Sequence, residues 1–572
     1  MGGAMAALKF GSLGKLCLGV VLLALTCLGA SAYAQGASAR ALSDQQWRAD
    51  IEQAVGAIRE RHPAPFRHVE QAEIDAAATR LVRELPELSD NAIEVRLAQL
   101  VAMIADGHTR ISVPRQHVEF GVAQGHIPTA PPRLARLVFS DLPVRFEIFD
   151  DGVFIIGAER SAASLIGAQV MSFDGSATES VVAAVRTTVA ADNDSGARFV
   201  VPDRLSLPGV LHALGLIEHR DRVTLRVRYT DGREDSVPLV ALAEGAVQYQ
   251  ARPVPGPRPP SPSRDGDRVW WSLLPGRSAL YIQINEIEAF PAQPLADTLH
   301  EALVAAERGR ANRIVIDLRY NQGGTAQFNP AIVRALLASD YNRYGRLYVL
   351  IGRQTFSAAQ MLLNQLEQFS EAIFVGEASG SGPTHFGDPQ RTVLTHTGLT
   401  LRTSTIEWRS WLAGEFRTQT DVHIDAPYLA ADYFAGRDAA LEVALSNSAP
   451  SSVARQVEQL FRTGKTQGAI LRFVAHLNNA NVARREAAEN FVERGRALLA
   501  DGFERESHFM MVLVSDYYPR SVAAQLAMAT SLERRGDRDG ARRRYELVLG
   551  LSPSNEEARA GAARLAVQEG ER

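Results

Sequence analysis

The chain has 572 residues, which is too long for one compact core and indicates roughly two to four domains. Its hydrophobic fraction of 46% and its charged fraction of 22% are those of an ordinary globular protein. The formal net charge of −4 gives no reason to expect nucleic acid or an anionic membrane surface as a partner.

The N-terminus has the pattern of an export signal. Lys9 and Lys15 precede an apolar run from Leu16 to Leu28, and small residues occupy the cleavage positions up to Ala34. The apolar run is short for a membrane span, which needs about 20 residues. We predict a signal peptide over residues 1–34 and an exported protein, periplasmic or secreted, with no stable membrane span after cleavage. An uncleaved anchor is the alternative.

Both cysteines, Cys17 and Cys27, lie inside this signal segment. A mature chain without cysteine excludes thiol catalysis, disulfides and cysteine metal sites. The sequence also contains no His-Glu-x-x-His motif, no calcium loop of spaced aspartates and no phosphate-binding loop with a lysine. We therefore expect no metal and no cofactor.

The region from residue 43 to about 120 is predicted to be helical. Ser43 is a suitable cap for a first helix, and His62-Pro63 ends it. A later helix stops at the segment Asp106–Thr109, which reads Asp-Gly-His-Thr. Gly107 is predicted to supply the left-handed residue that ends this helix.

Residues 135–250 are predicted to form a small β-rich module. From Val144 the hydrophobic period changes to two, and Asp-Gly pairs follow the first alternating run and the run ending at Tyr229. Residues 251–266 are rich in proline and serine, which is typical of an extended linker.

Strands and helices alternate over residues 267–446, which predicts an α/β core with crossover helices. The predicted strands are 280–284, 314–318, 347–351 and 373–375, and the predicted helices are 295–306, 328–337 and 357–366.

The last region, residues 450–572, is predicted to be a helical repeat. Gly502 and Gly536 lie 34 positions apart, as do Pro519 and Pro553. This is the tetratricopeptide period. A plain helical hairpin tail is the alternative.

Two strand-to-helix junctions in the α/β core carry residues suited to chemistry. One buried strand ends in a polar turn that contains Gly323 and Gly324, where backbone N–H groups can point at an oxygen. The next strand leads to Ser357 at the start of a helix. Free N–H donors at a helix start favour a developing negative charge. Taken alone, Ser357 would be an ordinary helix cap.

Together these motifs resemble the core of the tail-specific (C-terminal processing) peptidase superfamily. The matching segments are Asp-Leu-Arg-x-Asn-x-Gly-Gly at 317–324, Thr-Phe-Ser-Ala-Ala at 355–359, Gly-Glu-x-Ser-Gly at 376–380 and Gly-Arg-Asp at 436–438. The resemblance covers about 280–438. It implies a ClpP/crotonase-like α/β core and Ser357 as the nucleophile, and it implies that residues 135–250 are a PDZ-like module.

The resemblance also suggests the base that activates Ser357. One branch of the superfamily uses a lysine, but Gly382 stands at that place and no lysine lies between Ser357 and Leu460. The tricorn-like and interphotoreceptor retinoid-binding-like branch carries Asp-Gly-His-Thr, and His108 is therefore the predicted base. A histidine titrates near working pH, which suits this role. His385 is the competing candidate.

Related enzymes place an acid some fifty to sixty residues after the serine. Glu407, Glu415 and Asp421 fall in or near that range, and Glu407 is slightly preferred because it lies on an alternating strand. The predicted oxyanion donors are the backbone N–H groups of Gly323, Gly324 and Ala358.

These residues predict an exported serine peptidase that hydrolyses peptide bonds through an acyl-enzyme on Ser357. The expected substrate is a peptide or unfolded protein, and the helical repeat tail is expected to bind a protein partner or to pack on the core. No nucleic acid is expected to bind. The alternative is a non-catalytic ligand-binding or protein-binding member of the same fold.

Overall fold

The computed structural model describes residues 40–115, 138–243, 249–251, 268–288, 295–409, 415–446, 452–478 and 486–567. The predicted signal peptide, and the predicted linker apart from its first residue, lie outside the described residues. The chain is a mixed helix and sheet structure with a helical C-terminal region. Across the described ranges, no helix is both long enough and apolar enough to span a membrane.

The N-terminal region contains three helices, α1 (Asp44–Arg61), α2 (Gln71–Glu84) and α3 (Asp90–Ala102), followed by the short strand β1 (Arg110–Ile111). The predicted cap is confirmed, because the Ser43 hydroxyl accepts a hydrogen bond from the Gln46 N–H and the Gln46 side chain accepts one from the Ser43 N–H. The prediction for Gly107 was wrong. Ala105 is the left-handed residue after α3, with φ 55°.

The β-rich module is built on an antiparallel sheet in the order β2-β3-β4-β6-β7, with β5 paired to β4 and β8 paired to β3. The predicted hairpin is confirmed as β2 and β3, and its inward side chains share a core with the helices of the module. The strands are β2 (Val144–Phe149), β3 (Gly152–Ala158), β4 (Gln169–Phe173), β5 (Ser176–Ala177), β6 (Arg222–Arg228), β7 (Glu234–Val240) and β8 (Gln250–Ala251), and the helices are α4 (Thr178–Arg186), α5 (Asp194–Leu205) and α6 (Pro208–Ala213).

The α/β core has a six-stranded sheet in the order β18-β13-β12-β11-β10-β9, in which only β9 runs antiparallel. Its central strands are buried along their whole length, as expected when helices cover both faces. The predicted elements are confirmed within two or three residues at each end. They are β10 (Ala279–Ile284), α7 (Leu295–Arg308), β11 (Arg313–Asp317), α8 (Asn329–Ala338), β12 (Leu347–Ile351), α9 (Ala358–Phe369) and β13 (Ile373–Gly376). The two outer strands of the sheet, β9 (Val269–Leu274) and β18 (Ile424–Asp425), were not predicted.

Two small sheets were not predicted. The first has the order β1-β16-β15 and joins the N-terminal region to the second half of the core, because β1 pairs with β16. The second pairs β14 with β17. The alternating strand predicted around Glu407 is present as β17 (Ile406–Trp408). The other strands of these sheets are β14 (His385–Gly387), β15 (Gln390–Val393) and β16 (Thr400–Thr403), and the core ends with α10 (Ala430–Ala435) and α11 (Ala439–Ser446).

The C-terminal region is a stack of helices in which glycines make the turns. Gly464, Gly502 and Gly536 all adopt positive φ, at 75°, 89° and 81°. An ion pair of 2.5 Å between Arg472 and Glu371 attaches this stack to the core. The helices are α12 (Val453–Arg462), α13 (Thr466–Asn478), α14 (Ala488–Ala500), α15 (Glu504–Tyr517), α16 (Val522–Arg534), α17 (Arg538–Leu551) and α18 (Glu556–Val567).

Candidate active site

Ser357 lies on a sharp elbow between β12 and α9, at the carboxyl edge of the parallel sheet. Its backbone has φ 55° and ψ −123°, a strained conformation for a residue with a Cβ. Such strain costs about 1–3 kcal/mol and is typical of functional sites. The Ser357 side chain makes no capping hydrogen bond to the helix. Ser357 therefore occupies the first position before α9 without its side chain acting as a helix cap.

The glycine turn after β11 lies directly against this elbow. A Cβ added to Gly323 would lie 2.7 Å from the Ser357 Cβ and 2.9 Å from the Ala358 nitrogen. Asn321 shapes the turn, because its side-chain oxygen accepts from the Gly323 N–H at 2.9 Å and its side-chain nitrogen donates to the Ile284 carbonyl at 2.9 Å. Neighbouring parallel strands thus bring the two predicted junctions together.

Arg319 also holds the same turn in place. Its guanidinium donates to both carboxylate oxygens of Asp438, at 2.8 Å and 2.7 Å, and also to Asp317. The Gly-Arg-Asp segment and the Asp-Leu-Arg segment are therefore two halves of one ion-pair cluster. Charge-assisted bidentate bonds of this kind hold a turn rigidly.

His108 reaches Ser357 from the N-terminal region, 249 positions earlier in the chain. Its Nε2 lies 3.0 Å from the Ser357 Oγ. The ring stacks on Phe356, with 4.3 Å between the ring centroids. Burial lowers the pKa of His108 to about 3, against the opposing charge of Asp106. The imidazole is therefore neutral near pH 7, and its Nε2 lone pair can accept the serine proton.

Asp106 fixes the loop that carries His108. Its Oδ1 accepts from the His108 N–H at 2.9 Å, and its Oδ2 accepts from the Ser404 hydroxyl at 2.6 Å and from His62 Nε2 at 3.2 Å. The tautomer of His62 is set, because its Nδ1 accepts from the Ala64 N–H. Burial acts to raise the pKa of Asp106, but these hydrogen bonds and the charge of His108 outweigh it and hold that pKa well below its usual range.

The structure does not bring Glu407 to His108. The Glu407 carboxylate instead pairs with Arg67 at 2.5 Å and with Arg409 at 2.9 Å, because its strand carries it to a neighbouring basic surface. Among the described carboxylates, the one within ion-pair distance of His108 Nδ1 is that of Asp106, whose Oδ1 lies 3.9 Å away. This separation is too long for a hydrogen bond.

The two alternative acids are also committed elsewhere. Glu415 forms an ion pair with Arg417 at 2.9 Å, and Arg417 also pairs with Glu367 at 2.8 Å. Asp421 accepts a hydrogen bond of 2.9 Å from the Gln419 amide.

His385, the competing base, lies beside His108 but makes no hydrogen bond to Ser357. The two imidazole rings are nearly parallel, with centroids 6.1 Å apart. His385 Nδ1 donates to the Gly382 carbonyl at 2.9 Å, which leaves Nε2 as the unprotonated nitrogen. Burial lowers the pKa of His385 as well. Of the two candidates, the structure brings His108 within hydrogen-bond distance of Ser357.

Asp192 is a site residue that was not predicted from any motif or spacing. It follows α4 in the β-rich module, and its carboxylate accepts from the Gly107 N–H at 2.7 Å and from the Ser381 hydroxyl at 2.5 Å. Burial, reinforced by the charge of Asp106, raises the pKa of Asp192 to about 7. Asp192 thereby connects the His108 loop to the loop after β13.

The three predicted oxyanion donors differ in whether their N–H group already has a hydrogen-bond acceptor. The Gly323 N–H is already donated to Asn321, so it is not free for a ligand. The Gly324 and Ala358 N–H groups donate to no backbone or side-chain acceptor among the described residues. Gly324 adopts φ 127°, and Ala358 is the first residue of α9. These two N–H groups remain available.

In the part of the chain that the structure describes, no group of three or more His, Cys, Asp or Glu side chains is arranged to hold a metal ion.

A serine on a strained elbow with a neutral imidazole at hydrogen-bond distance defines the class of site found in serine hydrolases. The solved structures that are similar to this chain include three proteases. Mature CPAF complexed with lactacystin has a TM-score of 0.48 and 14% identity, covering 70% of this chain and 98% of that one. The photosystem II D1 C-terminal processing protease has a TM-score of 0.32 and 13% identity, and the match covers 69% of this chain and 98% of that one. The tricorn protease has a TM-score of 0.30 and 12% identity, and the match covers 70% of this chain and 36% of that one.

No protein-family model and no curated protein sequence matches the chain. At these identities and TM-scores, the similarity to solved structures assigns no activity, and the chemistry of the site is inferred from its own atoms.

Proposed function

We propose that this protein is a serine peptidase of the tail-specific peptidase superfamily. The observation that carries the proposal is the 3.0 Å separation between Ser357 Oγ and His108 Nε2 on a strained elbow. The motifs of the α/β core, which resemble that superfamily, support the choice of peptide bonds over other acyl substrates.

In the proposed reaction, Ser357 Oγ attacks the carbonyl carbon of a peptide bond while its proton passes to His108 Nε2. The Gly324 and Ala358 N–H groups stabilise the negative oxygen of the tetrahedral intermediate. The imidazolium then gives its proton to the departing amine, which leaves an acyl-enzyme on Ser357. A water molecule hydrolyses that ester by the same route in reverse.

Asp106 is proposed to take the place of the orienting acid. It remains ionised because its hydrogen bonds lower its pKa, and it holds the His108 backbone N–H at 2.9 Å. Its charge also favours the imidazolium that forms during attack. A closer approach of Asp106 Oδ1 to His108 Nδ1 than the observed 3.9 Å would be needed for a direct hydrogen bond.

The β-rich module is proposed to act as the PDZ-like unit that presents an extended peptide by strand addition. The C-terminal stack is proposed to be a tetratricopeptide-like unit, since the glycine turns at Gly502 and Gly536 lie 34 positions apart. Export to the periplasm or outside the cell completes the proposal and follows from the N-terminal residues 1–34.

The nucleophile can be tested by labelling the purified full-length chain with a fluorophosphonate probe and locating the adduct by mass spectrometry. We expect one adduct on Ser357, none in Ser357→Ala, and normal labelling in the control Ser446→Ala, whose serine is exposed at the end of α11. His108→Ala should abolish labelling, whereas His385→Ala should retain it. An unlabelled Ser357 in the folded wild-type protein would favour the alternative, a non-catalytic binding protein.

A further inference from the structure

Three arginines stand in register across the small sheet that carries the His108 loop. Arg110 on β1 is paired with Arg402 on β16, and Arg402 is paired with Arg391 on β15. Directly paired residues of adjacent strands lie on the same face of a sheet. The opposite face is apolar, because Ile111 and Leu401 pack into the core beside α1. The three arginines, called the arginine ladder below, therefore lie on the outer face.

Within the described parts of the chain, no carboxylate lies at ion-pair distance from the arginine ladder, although the charge of Asp106 partly opposes the lowering of the Arg110 pKa. None of its three guanidinium groups forms an ion pair or a hydrogen bond with a described residue. Like charges placed directly opposite each other on neighbouring strands destabilise a sheet. Mutual repulsion also contributes, after burial, to lowering the pKa of Arg110 and of Arg402. The ladder thus works against the fold, which is the pattern expected of a surface kept for an anionic ligand.

The ladder begins at the catalytic machinery. Arg110 lies two positions after His108, and the charges of Arg110 and Arg402 are near enough to act on the His108 ring and lower its pKa. Neighbouring strands are about 4.8 Å apart, so three paired arginines span roughly 10 Å. Side chains on one face of an extended peptide repeat about every 6.8 Å. Two carboxylates at alternate positions of a peptide would fit within the span.

We propose that the arginine ladder binds acidic side chains of the polypeptide substrate and so directs cleavage to segments with Asp or Glu at alternate positions. This inference rests on the proposed peptidase function. A peptide is favoured over a nucleic acid or an anionic lipid surface because the ladder adjoins His108 and because the chain is net negative, at −4. Val393, exposed by 61% and two positions after Arg391, adds an apolar contact that suits a peptide.

The test uses full-length Ser357→Ala protein, so that substrate is bound but not consumed. Fluorescence anisotropy compares a labelled decapeptide with glutamate at alternate positions against its glutamine counterpart. We expect the glutamate peptide to bind about tenfold more tightly at low salt, and the preference to shrink at 0.5 M salt. The preference should disappear when all three ladder arginines are replaced by glutamine. The matched control removes the same charge from exposed positions on α1 and α2, and consists of Arg48→Gln, Arg80→Gln and Arg83→Gln.

Equal binding of the two peptides, or an equal loss of preference in the control triple variant, would overturn the proposal. So would tighter binding of a single-stranded DNA oligonucleotide or of phosphatidylserine vesicles that depended on the ladder in the same way. Because the binding test needs no catalysis, a protein without fluorophosphonate labelling that still prefers the glutamate peptide would refute the peptidase function and keep the ladder. Normal fluorophosphonate labelling of Ser357 in a protein that does not prefer the glutamate peptide would keep the peptidase function and refute the role of the ladder.

Discussion

Replacing Gly323 with alanine tests whether the serine elbow is built around the glycine turn. Gly323 adopts φ 111°, where alanine is disfavoured by about 1–2 kcal/mol. The new Cβ would also lie 2.7 Å from the Ser357 Cβ and 2.9 Å from the Ala358 nitrogen. Neither atom belongs to the far end of a flexible side chain, so the elbow itself must move. Overpacking of this kind adds about 1–3 kcal/mol.

We therefore expect Gly323→Ala to lower the free energy of unfolding of the α/β core by about 2–5 kcal/mol, measured by urea unfolding. A displacement of Ser357 by about 1 Å should reduce the rate of fluorophosphonate labelling roughly 100-fold. Gly175→Ala is the matched control, because Gly175 adopts φ 86° and a Cβ there would meet no atom within 4 Å. If both variants lost stability equally and labelled at the wild-type rate, the proposed dependence of the elbow on Gly323 would be refuted.

Three further predictions concern charge. Because burial lowers the pKa of His108 to about 3, the base is neutral above that pH, and kcat/KM measured against pH should show no loss between pH 7 and about pH 5 from titration of His108. A loss centred near the ordinary histidine pKa would contradict this. Asp106→Asn removes the charge that raises the pKa of His108, so kcat should fall about 10²–10⁴-fold while the far-ultraviolet circular dichroism spectrum is retained. Arg472→Met removes the guanidinium that pairs with the buried Glu371 carboxylate and keeps the His476 contact at 3.4 Å, which should cost about 3–5 kcal/mol in urea unfolding. Arg472 and His476 lower the pKa of Glu371 to about 2, against its burial, so this contribution is fully present above the unfolded pKa of about 4.5 and is lost as pH falls towards 2. A variant with unchanged stability and unchanged acid sensitivity would show that the pair does not hold the tail.

The α/β core could be predicted from sequence because its parallel strands are short apolar runs bounded by turn residues. The strand 347–351 is confirmed to the residue, and the helix start at Ser357 is confirmed within one position. The choice of Gly323 as an oxyanion donor implied that it would lie beside Ser357, and the structure shows the reason, since the carboxyl ends of neighbouring parallel strands share one edge of the sheet. The strained φ of Ser357 did not follow, because no spacing rule reports backbone strain.

The orienting acid could not be predicted from spacing. Glu407 was preferred because it alternates along a strand, and a period of two does fix which face of a strand a residue occupies. It does not say which neighbour that face meets, and here the neighbour is Arg67. Asp192 could not be predicted for a related reason. Its partners, the Gly107 N–H and the Ser381 hydroxyl, come from two other parts of the chain.

The placement of His108 depends on contacts that only the complete fold supplies. Its loop is held by the Ser404 hydroxyl on Asp106 and by the Ser404 N–H on the Thr109 hydroxyl, contacts that join positions almost 300 residues apart. The adjoining pairing of β1 with β16 gives the loop a rigid support. The N-terminal helices therefore do not form a separable unit as far as the site is concerned. Ser357 and the glycine turn both follow strands of the parallel sheet, whereas the base reaches them on a loop that is held by the pairing of β1 with β16.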